Sequence, residues 1–201
     1  MVRALDALDT GFEQVTPSQA PALMDGYNAM WWIAGGWALD LVGGGITRDH
    51  LDLDVGVFRE DLSHLFEALS DVELHSADGG RLELMSGAEE MRTEANSIWA
   101  KRPDAKKWLF ELIMNEREKD EWVYRREPSI RRPLNELTVE VDGLKCLRPE
   151  IQLLFKAKHM RGRDIADFDA HSPALNGASR MWLREALAIA HPGHLWIGRL
   201  T

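Results

Sequence analysis

The sequence predicts a mixed α/β (α+β) fold: a mixed-sheet domain followed by a small helical C-terminal part. Three observations carry this. Short apolar runs that read as strands recur from Met30 to Leu147, with clear period-two alternation at Leu51 to Val55. Glycine-rich turn signals and short helical stretches separate them. From Pro149 the apolar period shifts to 3.6. The expected division is 1–147 for the sheet domain and 148–201 for the helical extension, a size that suits one main core.

In chain order, Leu5 to Phe12 and Ser18 to Met24 read as short amphipathic helices, the second opened by Thr16-Pro17-Ser18. Met30 to Ala34 reads as a buried strand that runs into a tight Gly35-Gly36 turn. Trp37 to Val42 is helical and is stopped by Gly43-Gly44-Gly45. Leu51 to Phe58 alternates, with Leu51, Leu53 and Val55 on one face and Asp52 and Asp54 on the other. Glu60 to Ser70 is a helix, and Val72 to His75 with Arg81 to Met85 form a hairpin through Asp78-Gly79-Gly80. The polar stretch from Ser86 to Lys107 takes no assignment. Trp108 to Met114 is a strand with one acid, Glu111, in its middle. Glu136 to Val141 and Leu144 to Leu147 make a second hairpin at Asp142-Gly143, and helices follow from Pro149 and from Ala178 to Ala190.

Composition narrows the function. The 201-residue chain carries a formal charge of −9. Nucleic-acid binders draw much of their affinity from basic faces, so this balance argues against DNA or RNA as the main partner. The single cysteine, Cys146, excludes an internal disulfide and a thiolate zinc cage. With no apolar run of membrane-spanning length and no signal-like N-terminal segment, the expectation is a cytoplasmic protein without a membrane partner.

The chemistry concentrates in Gly35-Gly36 and the run Thr47-Arg48-Asp49-His50-Leu51-Asp52-Leu53-Asp54. Carboxylates at i and i+2 of a strand share a face and repel unless a cation lies between them. Mg²⁺ suits such oxygens together with substrate phosphates, and a Gly-Gly turn lets backbone amides approach a phosphate. These parts together suit phosphoryl transfer. An Asp-x-Asp alone is commonly solvated charge, and a Gly-Gly alone is commonly a turn; the ordered conjunction is the signal.

The run from Trp31 to Val55 resembles the nucleotide-binding core of the aminoglycoside and lincosamide nucleotidyltransferases, within the DNA polymerase beta superfamily. The likeness runs through Gly35, Gly36, Trp37, Asp40, Thr47, Arg48, His50, Asp52 and Asp54, and more loosely through the segment from Pro149 to Asp169. It implies a metal-dependent enzyme that moves a nucleoside monophosphate to a hydroxyl, with ATP as donor and Mg²⁺ at Asp52 and Asp54. It also implies a third carboxylate serving as metal ligand and general base. Glu111 is the first choice and Glu83 the second, although better-known relatives carry Asp there. Arg48 and His50 are expected either to contact phosphate or to orient the Asp-x-Asp strand, with a structural salt bridge and a capping hydrogen bond as the competing reading. Lys156 and Lys158, on the helix from Pro149, are assigned to the nucleotide, with Lys158 and Arg161 expected on one face; a solvated, ion-paired helix end is the competing reading. The acceptor stays open between a small molecule such as an antibiotic and a macromolecule, with a non-catalytic binding protein as the third possibility. Trp99, Trp108 and Trp122 are candidates to flank an acceptor pocket or to anchor a core.

Overall fold

The structure, a computed structural model, describes residues 3–4 and 11–201. The helix expected from Leu5 falls mostly outside the described residues; Gly11 and Phe12 are not helical, and Phe12 bridges to Trp108. The chain forms two compact units. The first comprises Met1–Ile33 and His50–Glu116, the second Ala34–Asp49 and Arg117–Thr201.

The first unit is built on a mixed sheet. Its strands are β1 (Arg3–Ala4), β2 (Trp31–Ile33), β3 (Asp54–Phe58), β4 (Glu73–Asp78), β5 (Arg81–Met85), β6 (Ser97–Lys101) and β7 (Phe110–Glu118). Their order is β1-β5-β4-β6-β7-β3-β2, and β3 lies parallel to β7 while β2 lies antiparallel to β3. The short helix α1 (Ala20–Leu23) follows a 3-10 turn opened by Thr16, whose amide donates to Gln19 Oε1 at 2.8 Å. Trp32, Val55, Val57, Phe58, Leu65, Ile98, Leu112 and Met114 form the core, all at most 1% exposed. Strand β6 lies in the stretch the sequence left unassigned. Its alternation is short but regular, with Ile98 and Ala100 buried and Ser97, Trp99 and Lys101 on the opposite face.

β3 corrects one sequence expectation. The strand begins at Asp54, not at Leu51, and Leu51 is 69% exposed. Leu53 opens the ladder instead, its carbonyl accepting from the Glu111 amide at 2.9 Å. Residues 51 and 52 form a bend that enters the strand: Leu53 and Val55 find core to bury against, and Leu51 does not.

The second unit carries α2 (Gly35–Gly43), a hairpin of β8 (Glu121–Val123) with β9 (Arg131–Pro133), and a hairpin of β10 (Thr138–Val141) with β11 (Leu144–Leu147). It ends in α4 (Pro149–Ala157), α5 (Gly162–His171) and α6 (Gly177–Ala190); α3 (Leu62–Ala68) belongs to the first unit. Trp122, Tyr124, Leu154, Phe168, Leu183 and Trp196 pack its interior, with Phe168 stacked on Trp196 at 4.1 Å between ring centroids. The expected single helix from Pro149 that carries Lys156, Lys158 and Arg161 is broken. Met160 adopts a left-handed φ of +50°, and Arg161 caps a new helix, its amide donating to Asp164 Oδ2 at 3.1 Å. Lys158 caps the end of α4, so it and Arg161 do not share a face of one helix. Among the described residues no helix is long and apolar enough to cross a membrane.

Candidate active site

In the first unit the parallel register places Asp54 of β3 directly beside Glu111 of β7. Strand neighbours lie about 4.8 Å apart, and residues paired in register point to the same face. Glu111 reaches that face because Phe110 and Leu112, its neighbours, are buried on the other side at 1% and 0% exposure. Asp52 sits two residues before Asp54, in the bend that enters β3. Each of the three acids offers a carboxylate oxygen, and these oxygens lie within 4.8 Å of one another on partly exposed side chains. Two oxygens bound to one Mg²⁺ at about 2.1 Å are at most about 4.2 Å apart, so a small rotation brings the set around one ion. Three hard oxygen donors, with space left for water and phosphate oxygens, form a donor set suited to Mg²⁺. Glu83, the second choice for the third acid, lies on β5, and β4 and β6 separate that strand from β7.

The same row continues across the sheet. Glu111 pairs with Trp99 on β6, and Trp99 with His75 on β4. Ser97, one side-chain step from Trp99, donates its hydroxyl to Glu111 Oε1. Sequence reasoning missed Ser97, because its strand lies in a polar segment; the Ser-Ile-Trp-Ala-Lys alternation was the available signal. Trp108 and Trp122 are buried at 4% and 0%, whereas Trp99 stays partly exposed beside Glu111.

In the second unit the basic residues are organised around acids. Asp167 is buried and accepts from Arg48 Nε at 2.7 Å and Nη2 at 3.0 Å, while Lys156 Nζ lies 2.7 Å away. Burial raises the Asp167 carboxyl, but the hydrogen bonds from Arg48 and Lys156 outweigh it and hold the group below the ordinary range. Asp164 behaves alike: burial raises it, and Arg161 with Lys156 brings it below its ordinary value. Asp40 receives the Thr47 amide at 3.0 Å and hydroxyl at 2.6 Å, and its Oδ1 lies 3.1 Å from His171 Nε2. The segment that leads from α2 towards Asp52 is thereby tied to α5 by two polar clusters. Gly35 opens α2 with a φ of +66°, a conformation that glycine adopts at little cost, and its amide donates to Gln152 Oε1 at 2.8 Å. Lys158 is exposed at the end of α4, and His50 is partly exposed just before Asp52.

Known structures share this architecture. The solution structure of the antibiotic-resistance factor ANT(2'')-Ia superposes with a TM-score of 0.55 at 18% identity, over 85% of this chain and 88% of that one. Lincomycin-bound lincosamide antibiotic adenylyltransferase LnuA gives 0.54 at 15%, over 82% and 99%. ANT(2'')-Ia in complex with adenylyl-2''-tobramycin gives 0.55 at 15%, over 85% and 94%. No curated protein matches the chain. The fold is that of a nucleotidyltransferase, and the protein is an enzyme of that class. Residues 18–174 match the family model of aminoglycoside-2''-adenylyltransferase, and the chain belongs to that family.

Proposed function

We propose that the protein is a Mg²⁺-dependent nucleotidyltransferase that moves AMP from ATP to a hydroxyl of a small acceptor of the antibiotic kind. The observation that carries this is the clustering of Asp52, Asp54 and Glu111 within 4.8 Å, two of them in register on parallel strands. Family membership supports adenylyl transfer, and the relatives solved with tobramycin and lincomycin derivatives or ligands favour a small acceptor.

In this reading Asp52, Asp54 and Glu111 hold the cation. Bound there, Mg²⁺ would neutralise triphosphate charge and polarise the α-phosphoryl group. Glu111 accepts the proton of the acceptor hydroxyl, and the Ser97 hydroxyl fixes the orientation of that carboxylate. The acceptor oxygen forms its bond to the α-phosphorus as the bond to the bridging oxygen breaks, and pyrophosphate leaves. Gly35, Gly36, Arg48, His50, Lys156 and Lys158 are assigned to the nucleotide. The first turn of α2 begins with the two glycines; the Gly35 amide is held by Gln152, and the Gly36 amide after it is the one suited to phosphate. Arg48 and Lys156 already neutralise Asp167, so of the three long cations Lys158 keeps an exposed charge for the nucleotide. An ATP-consuming enzyme of this kind is expected in the cytoplasm.

The test is incubation with α-labelled ATP, Mg²⁺ and a panel including tobramycin and lincomycin. Labelled acceptor and pyrophosphate should appear with the wild type and fall at least about 100-fold with Asp54→Asn, the scale of losing a charge-stabilising group. Undiminished transfer by Asp54→Asn removes Asp54 from the site. Absence of transfer to any acceptor by a folded protein contradicts the function.

A further inference from the structure

A cavity of about 270 Å³ opens within the first unit immediately beside Glu111. Its floor is sheet: Ala77 of β4, Leu82 of β5, and Ser97 and Trp99 of β6, with Glu111 at one end. Ala77 pairs with Leu82, and Trp99 pairs with both His75 and Glu111, so these side chains share one face of the sheet. The β4–β5 turn, Asp78 to Arg81, forms the opposite rim.

We infer that this cavity is the acceptor subsite, and that it takes one compact hydroxylated ring of low charge, stacked on Trp99 with a hydroxyl presented to Glu111. The inference rests on the proposed role of Glu111 and goes further by naming the seat and the acceptor's chemistry.

Three features of the cavity select that class. The first is Trp99. Its indole is held edge-on by Phe12 at 4.9 Å and 62° and by Trp108 at 5.4 Å and 72°, yet it remains partly exposed and lines the cavity. A fixed, flat, apolar surface with a carboxylate at its edge suits a ring that is apolar on its face and hydroxylated at its rim. The second is size. Drug-sized ligands occupy pockets of roughly 300–1,000 Å³, and this one lies just under that range, so it suits one ring rather than a train of rings. The third is charge. The acids in the lining are Glu111 and Asp78. Glu111 belongs to the cation cluster, Asp78 is paired with Arg92 at 3.1 Å, and Arg81 adds a positive charge to the rim. With a divalent cation held by Asp52, Asp54 and Glu111, a polyamine would meet no surplus of negative charge there, so the cavity does not favour polycations.

The test uses methyl α-glucopyranoside and lincomycin as low-charge probes and tobramycin as the polyamine, with Mg²⁺ and ATP present. The expected result is transfer to a low-charge probe in preference to tobramycin. Trp99→Ala should raise that probe's KM about tenfold or more while leaving the KM for ATP unchanged, and Trp99→Phe should recover most of the loss. Since Trp99 also packs against Phe12 and Trp108, melting curves accompany each variant. Binding is measured separately by saturation-transfer NMR on the Glu111→Gln variant with Mg²⁺ and α,β-methylene-ATP. A low-charge probe should bind there, and Trp99→Ala in the same background should abolish its signal. The inference is overturned by preferred transfer to tobramycin, by an acceptor KM indifferent to Trp99→Ala in a folded variant, or by failure of both low-charge probes to bind. If a probe binds on Trp99 and is never adenylylated, the cavity stands and the proposed reaction fails.

Discussion

Gly56→Ala should destabilise the strand pair that carries Asp54, and the structure gives the size of the effect. Gly56 on β3 lies directly across from Trp32 on β2. A Cβ at residue 56 would fall 2.1 Å from Trp32 Nε1, 2.3 Å from Cε2 and 2.8 Å from Cζ2. The indole is fully buried and packs edge-on against Phe58 at 5.1 Å, so it has no open side to swing into. Overpacking of a tight core costs about 1–3 kcal/mol. An overlap this deep with a rigid fused ring belongs near the upper figure. At roughly 2–4 °C per kcal/mol for a chain of this length, the melting temperature should fall by about 6–12 °C. Thermal unfolding followed by far-UV circular dichroism measures it. In a double-mutant cycle, Trp32→Phe should relieve part of the Gly56→Ala loss, because the smaller ring removes the atoms in conflict; the coupling should exceed about 1 kcal/mol. If Gly56→Ala melts within a degree of the wild type, the indole does not lie over Gly56 and the close β2–β3 packing described here is wrong.

Asp167→Asn should cost about 1.5–3 kcal/mol in denaturant unfolding, since it removes the 2.7 Å partner of the buried Lys156 ammonium and leaves it Asp164 at 3.7 Å; a loss under about 0.5 kcal/mol contradicts this. Asp164 and Asp167 are held below their ordinary values in the folded protein, so their stabilisation is present above the unfolded carboxylate value of about 3.9 and is lost as pH falls through the lower folded values. The wild-type unfolding midpoint should therefore drop below about pH 4, and Asp167→Asn should flatten that drop. Cys146 is fully buried, and burial reinforced by the charge of Asp142 pushes its thiol up to about 11. It should resist a disulfide reagent at pH 8 in the native state and react within seconds in guanidinium; rapid native labelling would refute its burial.

Much of this fold was legible because the sequence marks its turns. Asp78-Gly79-Gly80 and Asp142-Gly143 each sit where the structure turns a hairpin, and Gly43-Gly44-Gly45 spans the end of α2. Phe110-Glu111-Leu112 was legible as a strand with an acid on the open face, because two large apolar neighbours fix which way the middle residue points. What sequence could not supply was pairing. Nothing local to Ser97 or Trp99 announces that β6 lies against β7, and so the hydroxyl and the indole beside Glu111 emerged only with the register. The roles of Arg48 and Lys156 were obscure for a similar reason. Both converge on Asp167, which in the case of Arg48 lies far along the chain. The break after Ala157 depends on the left-handed backbone at Met160, a residue type that gives no warning of it.

The central claim is that Asp52, Asp54 and Glu111 act as one cation site in a nucleotidyl-transfer reaction. Its most direct test is a Mn²⁺ titration followed by electron paramagnetic resonance, with α,β-methylene-ATP present, on the wild type and Asp54→Asn. Mn²⁺ takes the same oxygen ligands as Mg²⁺ and reports binding through loss of the free-ion signal. Wild-type protein should bind the ion–nucleotide complex, and Asp54→Asn should weaken that binding by at least about tenfold while its melting curve in metal-free buffer is preserved. Equal Mn²⁺ binding by the two proteins would contradict the account.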